Sequence, residues 1–454
     1  MSMTLDFLIK GGSVITGDGK THLEKAVIGL SRGELVVIAP GDPEPGLSAG
    51  HVIDATHCLV FPGIINAHAH NCVMGPSMPS GSAAPSQSEV NWQRNRHLLA
   101  GTTTLLNVCG LALPEELRIG DTHPLDIQVS TAHSPANIRS ALSVDGKGLH
   151  QRHLQMTVET ALLAGAKALG EVGGGQTLGG GAQEYKFIPQ AVRRHTGRDI
   201  HPRIARRLRD AVVGRYLRPE DGANDEQLQD ELVACGLADI LDPAAARNLI
   251  LASVMPSVEL ALAGFEEIAR CAERTGYPAI FHNSTPSVKT LLGVAERYPK
   301  ATLIAGHSNH PMFQPREAVD YAVALKRRNV IIDVSTLDCT TTRWRNDPAN
   351  LDALVEAGCV NTISTDFAGG HWDTIPEALH RIIRKRQMDP AAAIALATGN
   401  VARTFPQLAG DRGFIENGKR ADLVIADHAN CARIRHVLIK GKLVVSDGVV
   451  LSDG

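Results

Sequence analysis

The chain of 454 residues lacks several features that mark secreted, membrane and nucleic-acid-binding proteins. Its eight cysteines form no CxxC pair and no compact framework, which argues against a disulfide scaffold. No apolar run approaches the length of a membrane span, and no signal peptide precedes the first predicted strand. A net charge of −3 argues against nucleic acid or an anionic membrane as a partner. We therefore expect a reduced, cytoplasmic homo-oligomer whose partner is a small-molecule substrate.

Potential metal ligands occur where short apolar runs end. His68 and His70 end the segment CLVFPGIINAHAH, which reads as one strand, and side chains at positions i and i+2 of a strand point to the same face. The other candidates are Glu171 in KALGEVGGG, His282 in YPAIFHNST, His307 in ATLIAGHSNH and Asp366 in VNTISTDFAGG. Taken alone, His282 or Asp366 would be an ordinary structural residue. Together they predict a metal-dependent hydrolase, because the carboxyl ends of parallel barrel strands collect ligands on one face.

The middle of the chain alternates predicted strands and helices. From Leu59 to about Phe405 this alternation predicts an α/β fold, a TIM-like (β/α)8 barrel over residues 59–405. One unit is complete: apolar residues recur at helical spacing from Val258 to Ala272, Gly276 and Pro278 stop the helix, and AIFH resumes as a strand. His282 is thus expected where a strand passes into a loop.

The two ends of the chain are predicted to form a second unit. Residues 5–15 and 437–445 have similar sequences, FLIKGGSVI and VLIKGKLVV, and residues 25–39 read as a hairpin. Segments 1–58 and 406–454 are therefore expected to pair in one small β-sandwich, which would cover both sheet edges.

An insertion is predicted at about residues 174–256, between the fourth and fifth barrel strands. It opens with GGGQTLGGG, and nine arginines follow between Arg193 and Arg218. The glycines do not form a phosphate-binding loop, since GxxxxGK[ST] is absent. A solvated helical excursion that packs on the barrel, a contact in a homo-oligomer and a lid over the catalytic face are the alternatives.

The six candidate ligands, in this order, resemble the ligand set of the amidohydrolase superfamily. The resemblance covers nearly the whole chain and includes GTTTLLNV, ATGNVAR and GFIENGKRADLVIAD. It implies two divalent metal ions: His68 and His70 with Asp366 would hold the first, His282 and His307 the second, and Glu171 would join them. Zinc is the expected metal, and Mn, Fe, Co or Ni would suit the same ligands.

The fourth strand resembles the enamidase branch of that superfamily. Many members place a carboxylated lysine there, but Lys167 lies four residues before Glu171, about 13 Å upstream at the usual rise per residue. Glu171 is at the carboxyl end of the strand. Its sequence, GEVG, is similar to that of enamidase, in which a glutamate bridges the two metals. A surface glutamate before a glycine loop is the alternative.

The resemblance implies hydrolysis of a C–N bond in a cyclic amide, lactam or enamide by a metal-bridging hydroxide. Asp366 would accept the proton of the bridging water and return it to the leaving nitrogen. Linear amides, carbamates and ureas are alternative substrates. Two other classes are a mononuclear deaminase, which would not need Glu171, and a non-catalytic assembly protein on the same scaffold.

Substrate contacts are expected from loops near the predicted strand ends. The candidates are His133, His310, Asp338, Arg343 and Trp344. For each of these residues, a purely structural role in its loop is an equally good interpretation. An arginine in the loop after the seventh strand could bind a substrate carboxylate through two hydrogen bonds.

Overall fold

A computed structural model describes residues 4–117, 122–336, 347–369 and 373–451. The first strands belong to a sheet outside the barrel: β1 (Thr4–Ile15), β2 (His22–Ser31), β3 (Glu34–Pro40), β4 (Ser48–Asp54) and β5 (Cys58–Pro62). β2 and β3 form the predicted hairpin, and its turn residues Arg32 and Gly33 have φ angles of 53° and 80°. Two successive positive φ angles give the twist that a two-residue hairpin needs.

Eight parallel strands form the barrel: β6 (Ile64–Ala69), β7 (Thr102–Asn107), β8 (Asp126–Thr131), β9 (Ala168–Val172), β10 (Ala279–His282), β11 (Leu303–Gly306), β12 (Ile331–Ser335) and β13 (Thr362–Ser364). Each strand pairs with the next along the chain. The barrel closes between its first strand, β6, and the residues that follow its last strand, β13. There the His70 N–H donates to the Phe367 carbonyl at 2.8 Å and the Asp366 N–H donates to the His68 carbonyl at 2.9 Å. The predicted TIM-like barrel is confirmed.

The segment CLVFPGIINAHAH is two strands in different sheets, whereas the sequence predicted one. The chain turns at Gly63, whose N–H donates to the Asp422 carbonyl at 2.8 Å. A side chain at Gly63 would lie 2.2 Å from the Thr103 hydroxyl oxygen, so glycine permits the close approach of β7. Residue 63 is therefore the junction between β5 and the barrel strand that carries His68.

The helices of the described residues cover the barrel and build the insertion. They are α1 (Gln87–Leu99), α2 (Pro135–Val144), α3 (Gln151–Gln155), α4 (Val158–Ala164), α5 (Ile188–Thr196), α6 (Pro202–Val213), α7 (Asp225–Ala234), α8 (Pro243–Thr275), α9 (Val288–Arg297), α10 (Pro315–Lys326), α11 (Ala349–Glu356), α12 (Ile375–Arg384), α13 (Pro390–Ala395), α14 (Gly399–Thr404) and α15 (Pro406–Ala409). Short helical turns span Pro114–Leu117, Gln183–Phe187 and Pro219–Asp221. α8 ends at Thr275 with Gly276 in the left-handed conformation, as its sequence predicts.

α8 differs from the sequence prediction in its length and in its apolar composition. It runs through position 256 without a break, so the insertion and the barrel helix are continuous. By length and composition it could span a membrane, contrary to the expectation that no apolar run has that length. Its buried residues include Ile250, Val258 and Phe265, which belong to the same core cluster as Phe281 of β10. One face of α8 therefore packs into the core.

The arginines of the insertion form ion pairs within it and with the barrel. Glu184 and Arg209 are buried, their side-chain atoms lie 2.7 Å apart, and Arg206 also contacts Glu184, at 2.8 Å. The Arg215 guanidinium lies 2.9 Å from the carboxylate of Glu317 in α10. The backbone carbonyl of Arg215 accepts a hydrogen bond from the Thr285 hydroxyl at 2.8 Å. The insertion is thus fixed to α10 and to the loop that follows β10.

We expect Arg209→Ala to destabilise the protein by about 3 kcal/mol, because a buried carboxylate then loses one of its two cationic partners. Arg203→Ala is the matched control, since Arg203 lies exposed on the same helix and its side chain has no ion pair among the described residues. The measurement is denaturant unfolding of both variants. Equal stability would show that the buried pair contributes nothing.

The last strands complete the sheet that the first strands begin. They are β14 (Leu423–Asp427), β15 (Asn430–Ile439), β16 (Lys442–Ser446) and β17 (Val449–Val450). β14 pairs antiparallel with β5, and the strand order is β17-β16-β15-β14-β5-β1-β2-β3, with β4 beside β1. The N- and C-terminal segments therefore form a separate composite unit, as predicted, built as one continuous mixed sheet.

Candidate metal centre

The six predicted ligands come together at the carboxyl ends of the barrel strands. His68 is in β6 and His70 follows it; Glu171 is in β9, His282 ends β10, His307 follows β11 and Asp366 follows β13. Five of these side chains are 1–5% exposed, whereas Asp366 is 16% exposed. The barrel thus brings two carboxylates and four imidazoles to one place and buries all of them except Asp366.

The two oxygens of Glu171 face two different pairs of histidines. Oε1 lies 2.9 Å from His282 Nδ1 and 3.0 Å from His307 Nε2. Oε2 lies 3.4 Å from His70 Nε2 and 3.7 Å from His68 Nε2. Glu171 therefore stands between the two pairs.

Asp366 contacts only one of those pairs through its Oδ1. The oxygen lies 3.1 Å from His70 Nε2 and 3.4 Å from His68 Nε2. Three overlapping groups have their ligand atoms within 4.8 Å of one another: His68, His70 and Glu171; His68, His307 and Asp366; and Glu171, His282 and His307. The arrangement therefore offers candidate ligands for divalent metal ions.

The residues fit divalent metal ions in chemistry and in spacing. Two ligands on one tetrahedral zinc, with bonds of about 2.0–2.1 Å, lie about 3.3 Å apart. The nitrogen-to-oxygen distances here run from 2.9 to 3.7 Å. Burying two carboxylates is costly unless cations or protons compensate them. Imidazole and carboxylate together suit zinc and the other first-row divalent metals.

The contacts among these residues shift their pKa values. Burial opposes ionisation of Glu171, but hydrogen bonds from His282, His307 and His68 hold its pKa well below the usual range. Burial opposes protonation of His68, yet hydrogen bonds to Asp366 and Glu171 raise its pKa to about 10. The pKa of His70 also lies well above its ordinary value, because Asp366 outweighs burial. In the absence of metal, the two carboxylates therefore favour the protonated forms of His68 and His70, and contact with Glu171 outweighs burial to raise the pKa of His307 as well.

Metal binding should therefore release protons. Metal needs an unprotonated imidazole nitrogen, and the pKa of His68, about 10, keeps its ring protonated at neutral pH in the metal-free protein. We expect calorimetric titration of zinc at about pH 7.5, in two buffers of different ionisation heat, to show release of about one proton or more per chain. The apparent affinity should rise with pH. Metal uptake without proton release would contradict this charge balance.

Lys167 is not placed to join the six ligands. It precedes β9, its backbone N–H donates to the Val129 carbonyl at 2.9 Å, and its side chain makes none of the described contacts with them. Glu171 reaches the centre because the backbone at Gly170 has a φ of 95° and approaches β10 closely. A side chain at Gly170 would lie 2.2 Å from the Ile280 carbonyl oxygen. Glycine is therefore required directly before Glu171.

Two of the ligands occupy strained backbone positions. His307 has a φ of 36° and Asp366 a φ of 50°, angles that residues other than glycine rarely adopt. Such strain concentrates at functional sites and persists only where surrounding contacts hold it. At Asp366 those contacts include the barrel closure at His68 and His70.

Of the predicted substrate residues, His310 lies beside the centre. Its ring centroid is 5.5 Å from those of His282 and His307. The Met312 backbone N–H donates to its Nδ1 at 3.2 Å, so the neutral ring carries its proton on Nε2. Burial lowers the pKa of His310 well below its ordinary value and keeps the ring neutral.

The other predicted substrate residues either lack a described contact with the centre or lie outside the described residues. His133 is buried with Nδ1 2.9 Å from the Thr131 hydroxyl, and burial lowers its pKa to about 4. It is not among the described walls of the cavity beside Glu171. Asp338, Arg343 and Trp344 lie outside the described residues.

Sequence reasoning missed Cys109, which touches a candidate ligand. Its Sγ lies 3.6 Å from His70 Nδ1, the ring nitrogen that faces away from Glu171 and Asp366. Burial opposes ionisation of this thiol, but the contact with His70 lowers its pKa. The sequence held a signal for Cys109, because this residue follows the apolar strand β7 as His70, His307 and Asp366 follow theirs.

A second group of potential ligands, Glu116, His150 and His153, lies apart from the six. The His150 backbone N–H donates to His153 Nδ1 at 3.1 Å, which places the ring proton on Nε2, 3.1 Å from the Glu116 carboxylate. That nitrogen is therefore a hydrogen-bond donor with no lone pair for a metal. The group is a structural hydrogen-bond network.

Comparisons with known proteins relate the chain to one family and to several enzymes. Residues 279–444 match the Amidohydrolase family model. An imidazolonepropionase of Shouchella clausii is 34% identical over 116 residues, which are 23% of this chain and only 26% of that protein. An allantoinase of Rubrobacter xylanophilus is 26% identical over 430 residues, 93% of this chain and 85% of that protein.

Solved structures share the whole fold. The L-hydantoinase (dihydropyrimidinase) of Arthrobacter aurescens superposes with a TM-score of 0.56 over 99% of this chain and 98% of its own, at 13% identity. At that identity the likeness concerns the fold. The match of residues 279–444 to the Amidohydrolase family model agrees with the resemblance to the amidohydrolase superfamily that the order of candidate ligands indicated.

Proposed function

We propose that this chain is a metal-dependent hydrolase of C–N bonds in which His68, His70, Glu171, His282, His307 and Asp366 hold two divalent cations. The observation that carries the proposal is the division of the Glu171 carboxylate between two pairs of histidines. A carboxylate can give one oxygen to each of two cations and offset their charge. Glu171 would thus be the bridge, as in the enamidase branch.

The cations would supply the electrophilic chemistry. Two divalent ions bound here would acidify a water molecule and polarise the carbonyl group of the substrate. Zinc is the expected ion. The four imidazoles, held by burial on rigid strand ends, set the geometry in which that chemistry takes place.

Asp366 is proposed as the proton-transfer residue. It is the least buried of the six, with 16% of its side chain exposed, and Oδ1 is the oxygen that contacts His68 and His70. The carboxylate would accept a proton from the attacking water and donate it to the leaving nitrogen. An amide nitrogen leaves poorly without that proton.

His310 is proposed to donate a hydrogen bond to the substrate. The contact with the Met312 N–H leaves Nε2–H as its donor, and the ring lies against His282 and His307. A neutral, fixed donor next to the reacting carbonyl stabilises the oxygen on which charge develops. His133 has no comparable position.

A cyclic amide, lactam or enamide is the proposed substrate class. The allantoinase and the L-hydantoinase among the similar proteins support a cyclic amide. Linear amides, carbamates and ureas are the alternatives.

Elemental analysis combined with a substrate screen tests the proposal. We expect two divalent cations per chain and hydrolysis of lactams or related cyclic amides in preference to linear amides and carbamates. One tightly bound ion and release of ammonia from an amidine would indicate the mononuclear deaminase instead. A folded chain with neither metal nor activity would indicate an assembly protein and reject the proposal.

A further inference from the structure

A buried thiol lies against the side of His70 that faces away from the proposed cations. His70 Nε2 is turned toward the carboxylates, 3.1 Å from Asp366 Oδ1 and 3.4 Å from Glu171 Oε2. His70 Nδ1 lies 3.6 Å from Cys109 Sγ, and both residues are 1% exposed. A histidine that binds a metal through Nε2 carries its ring proton on Nδ1. The Cys109 sulfur is therefore placed to accept a hydrogen bond from that N–H.

Backbone N–H groups contact the same sulfur. Those of Asn71 and Met78, in the loop between β6 and α1, also donate hydrogen bonds to Cys109. Both residues have a φ of 58°, a conformation that residues other than glycine rarely adopt and that persists where surrounding contacts hold it. Cys109 thus ties the end of β7 to His70 and to the loop that follows His70.

The proton of the thiol has an acceptor of its own in Asn107. Cys109 Sγ donates to Asn107 Oδ1 at 3.9 Å, and the same oxygen accepts the Cys72 backbone N–H at 3.0 Å. Cys72 Sγ in turn donates to the His70 carbonyl at 3.3 Å. Because its proton is directed at Asn107, the Cys109 sulfur keeps its lone pairs for the N–H groups around it. These hydrogen bonds fix both the ring and the backbone of His70.

We propose that Cys109 is a positioning residue for the cation that His70 would bind, an inference that rests on the proposed function. Its sulfur accepts the Nδ1–H of His70, which leaves the Nε2 lone pair for the metal and sets the orientation of the ring. Removing a group that orients a metal ligand in this way lowers metal affinity or activity about 10–100-fold. A thiol is a weak acceptor, so we expect the lower end of that range. The effect should fall on one cation, since Cys109 makes none of the described contacts with His282 or His307.

Zinc titration against a competing chelator tests this role independently of turnover. We expect Cys109→Ala to bind one cation about tenfold more weakly than the parent and the other unchanged, and Cys109→Ser, which keeps an acceptor, to recover most of the loss. Cys431→Ala is the matched control, because it removes a buried thiol from β15 in the other sheet. It should leave both affinities unchanged.

The outcomes of this titration separate the inference from the proposed function. Parent affinity for both cations in Cys109→Ala overturns the positioning role and leaves the metal centre standing. Equal weakening of both cations also overturns it, because the thiol would then support the fold rather than one ligand. A parent chain that binds no divalent cation overturns the proposed function and the inference together.

Spectroscopy of the metal-loaded protein examines the hydrogen bond itself. In zinc-loaded protein with ¹⁵N-labelled histidine, we expect one imidazole N–H signal to shift in Cys109→Ser and to be lost to solvent exchange in Cys109→Ala, while the other imidazole signals stay in place. Imidazole signals that are the same in all three proteins would overturn the proposal. So would a thiolate-to-cobalt charge-transfer absorption in the cobalt-loaded parent that disappears in Cys109→Ser, because Cys109 would then be a metal ligand itself.

Discussion

Glu171→Gln should leave at most one tightly bound cation per chain and lower turnover by at least about 100-fold. The amide can offer only one oxygen as a ligand and carries no charge, so it cannot offset two cations. Removing a residue that only hydrogen-bonds to a metal ligand already lowers metal affinity or activity about 10–100-fold. Glu171 would be a ligand itself, so its loss should cost at least as much. Its carboxylate also lies within 2.9–3.7 Å of all four histidines.

Lys167→Ala is the matched control for that prediction. Lys167 precedes β9 and makes none of the described contacts with the ligands, so its removal should leave metal content and turnover close to those of the parent. Metal content by elemental analysis and initial rates are measured for the parent, Glu171→Gln and Lys167→Ala. If Lys167→Ala lost a cation while Glu171→Gln kept both, the assignment of the bridge would be wrong.

Asp366→Asn should reduce turnover by a factor on the order of 100 or more while the fold and at least one cation are retained. The amide preserves the shape and one oxygen near His68 and His70, but it cannot accept a proton. His68 and His70 hold the pKa of the Asp366 carboxyl well below its ordinary value, against the effect of burial, so in the metal-free protein the carboxyl is ionised throughout the usual pH range.

The pH profile separates this role from a structural one. Turnover of the parent should rise with pH as the reacting water loses its proton, since Asp366 is already ionised. The asparagine variant should stay slow at every pH, with circular dichroism like that of the parent. Near-normal turnover of the variant across the pH range would exclude proton transfer by Asp366.

The barrel and the convergence of its candidate ligands followed from local sequence patterns. Parallel strands put their carboxyl ends on one face, so polar residues that end apolar runs, such as His282 and Asp366, had to meet there. The unit of α8 and β10 was readable because helical spacing, Gly276 and a short apolar strand follow one another. These features depend on periodicity and on strand ends, both of which are local.

The features that sequence reasoning missed depend on contacts between distant segments. Gly63 separates two sheets only because β7 packs against it at Thr103. Cys109, Val144 and Glu171 line one cavity although they lie far apart in the sequence. Likewise, the arginines of the insertion gave no sign of their partners, since Glu184 lies 25 residues before Arg209. Pairing of this kind is set by tertiary packing, which a single sequence does not display.

The most direct test of the bridge is a crystal structure of the metal-loaded protein with anomalous scattering at the absorption edge of the bound metal. The account predicts two peaks, one between Glu171 and the pair His68 and His70, the other between Glu171 and the pair His282 and His307, with one Glu171 oxygen on each. A single peak, or two peaks joined by a carboxylated Lys167, would contradict it.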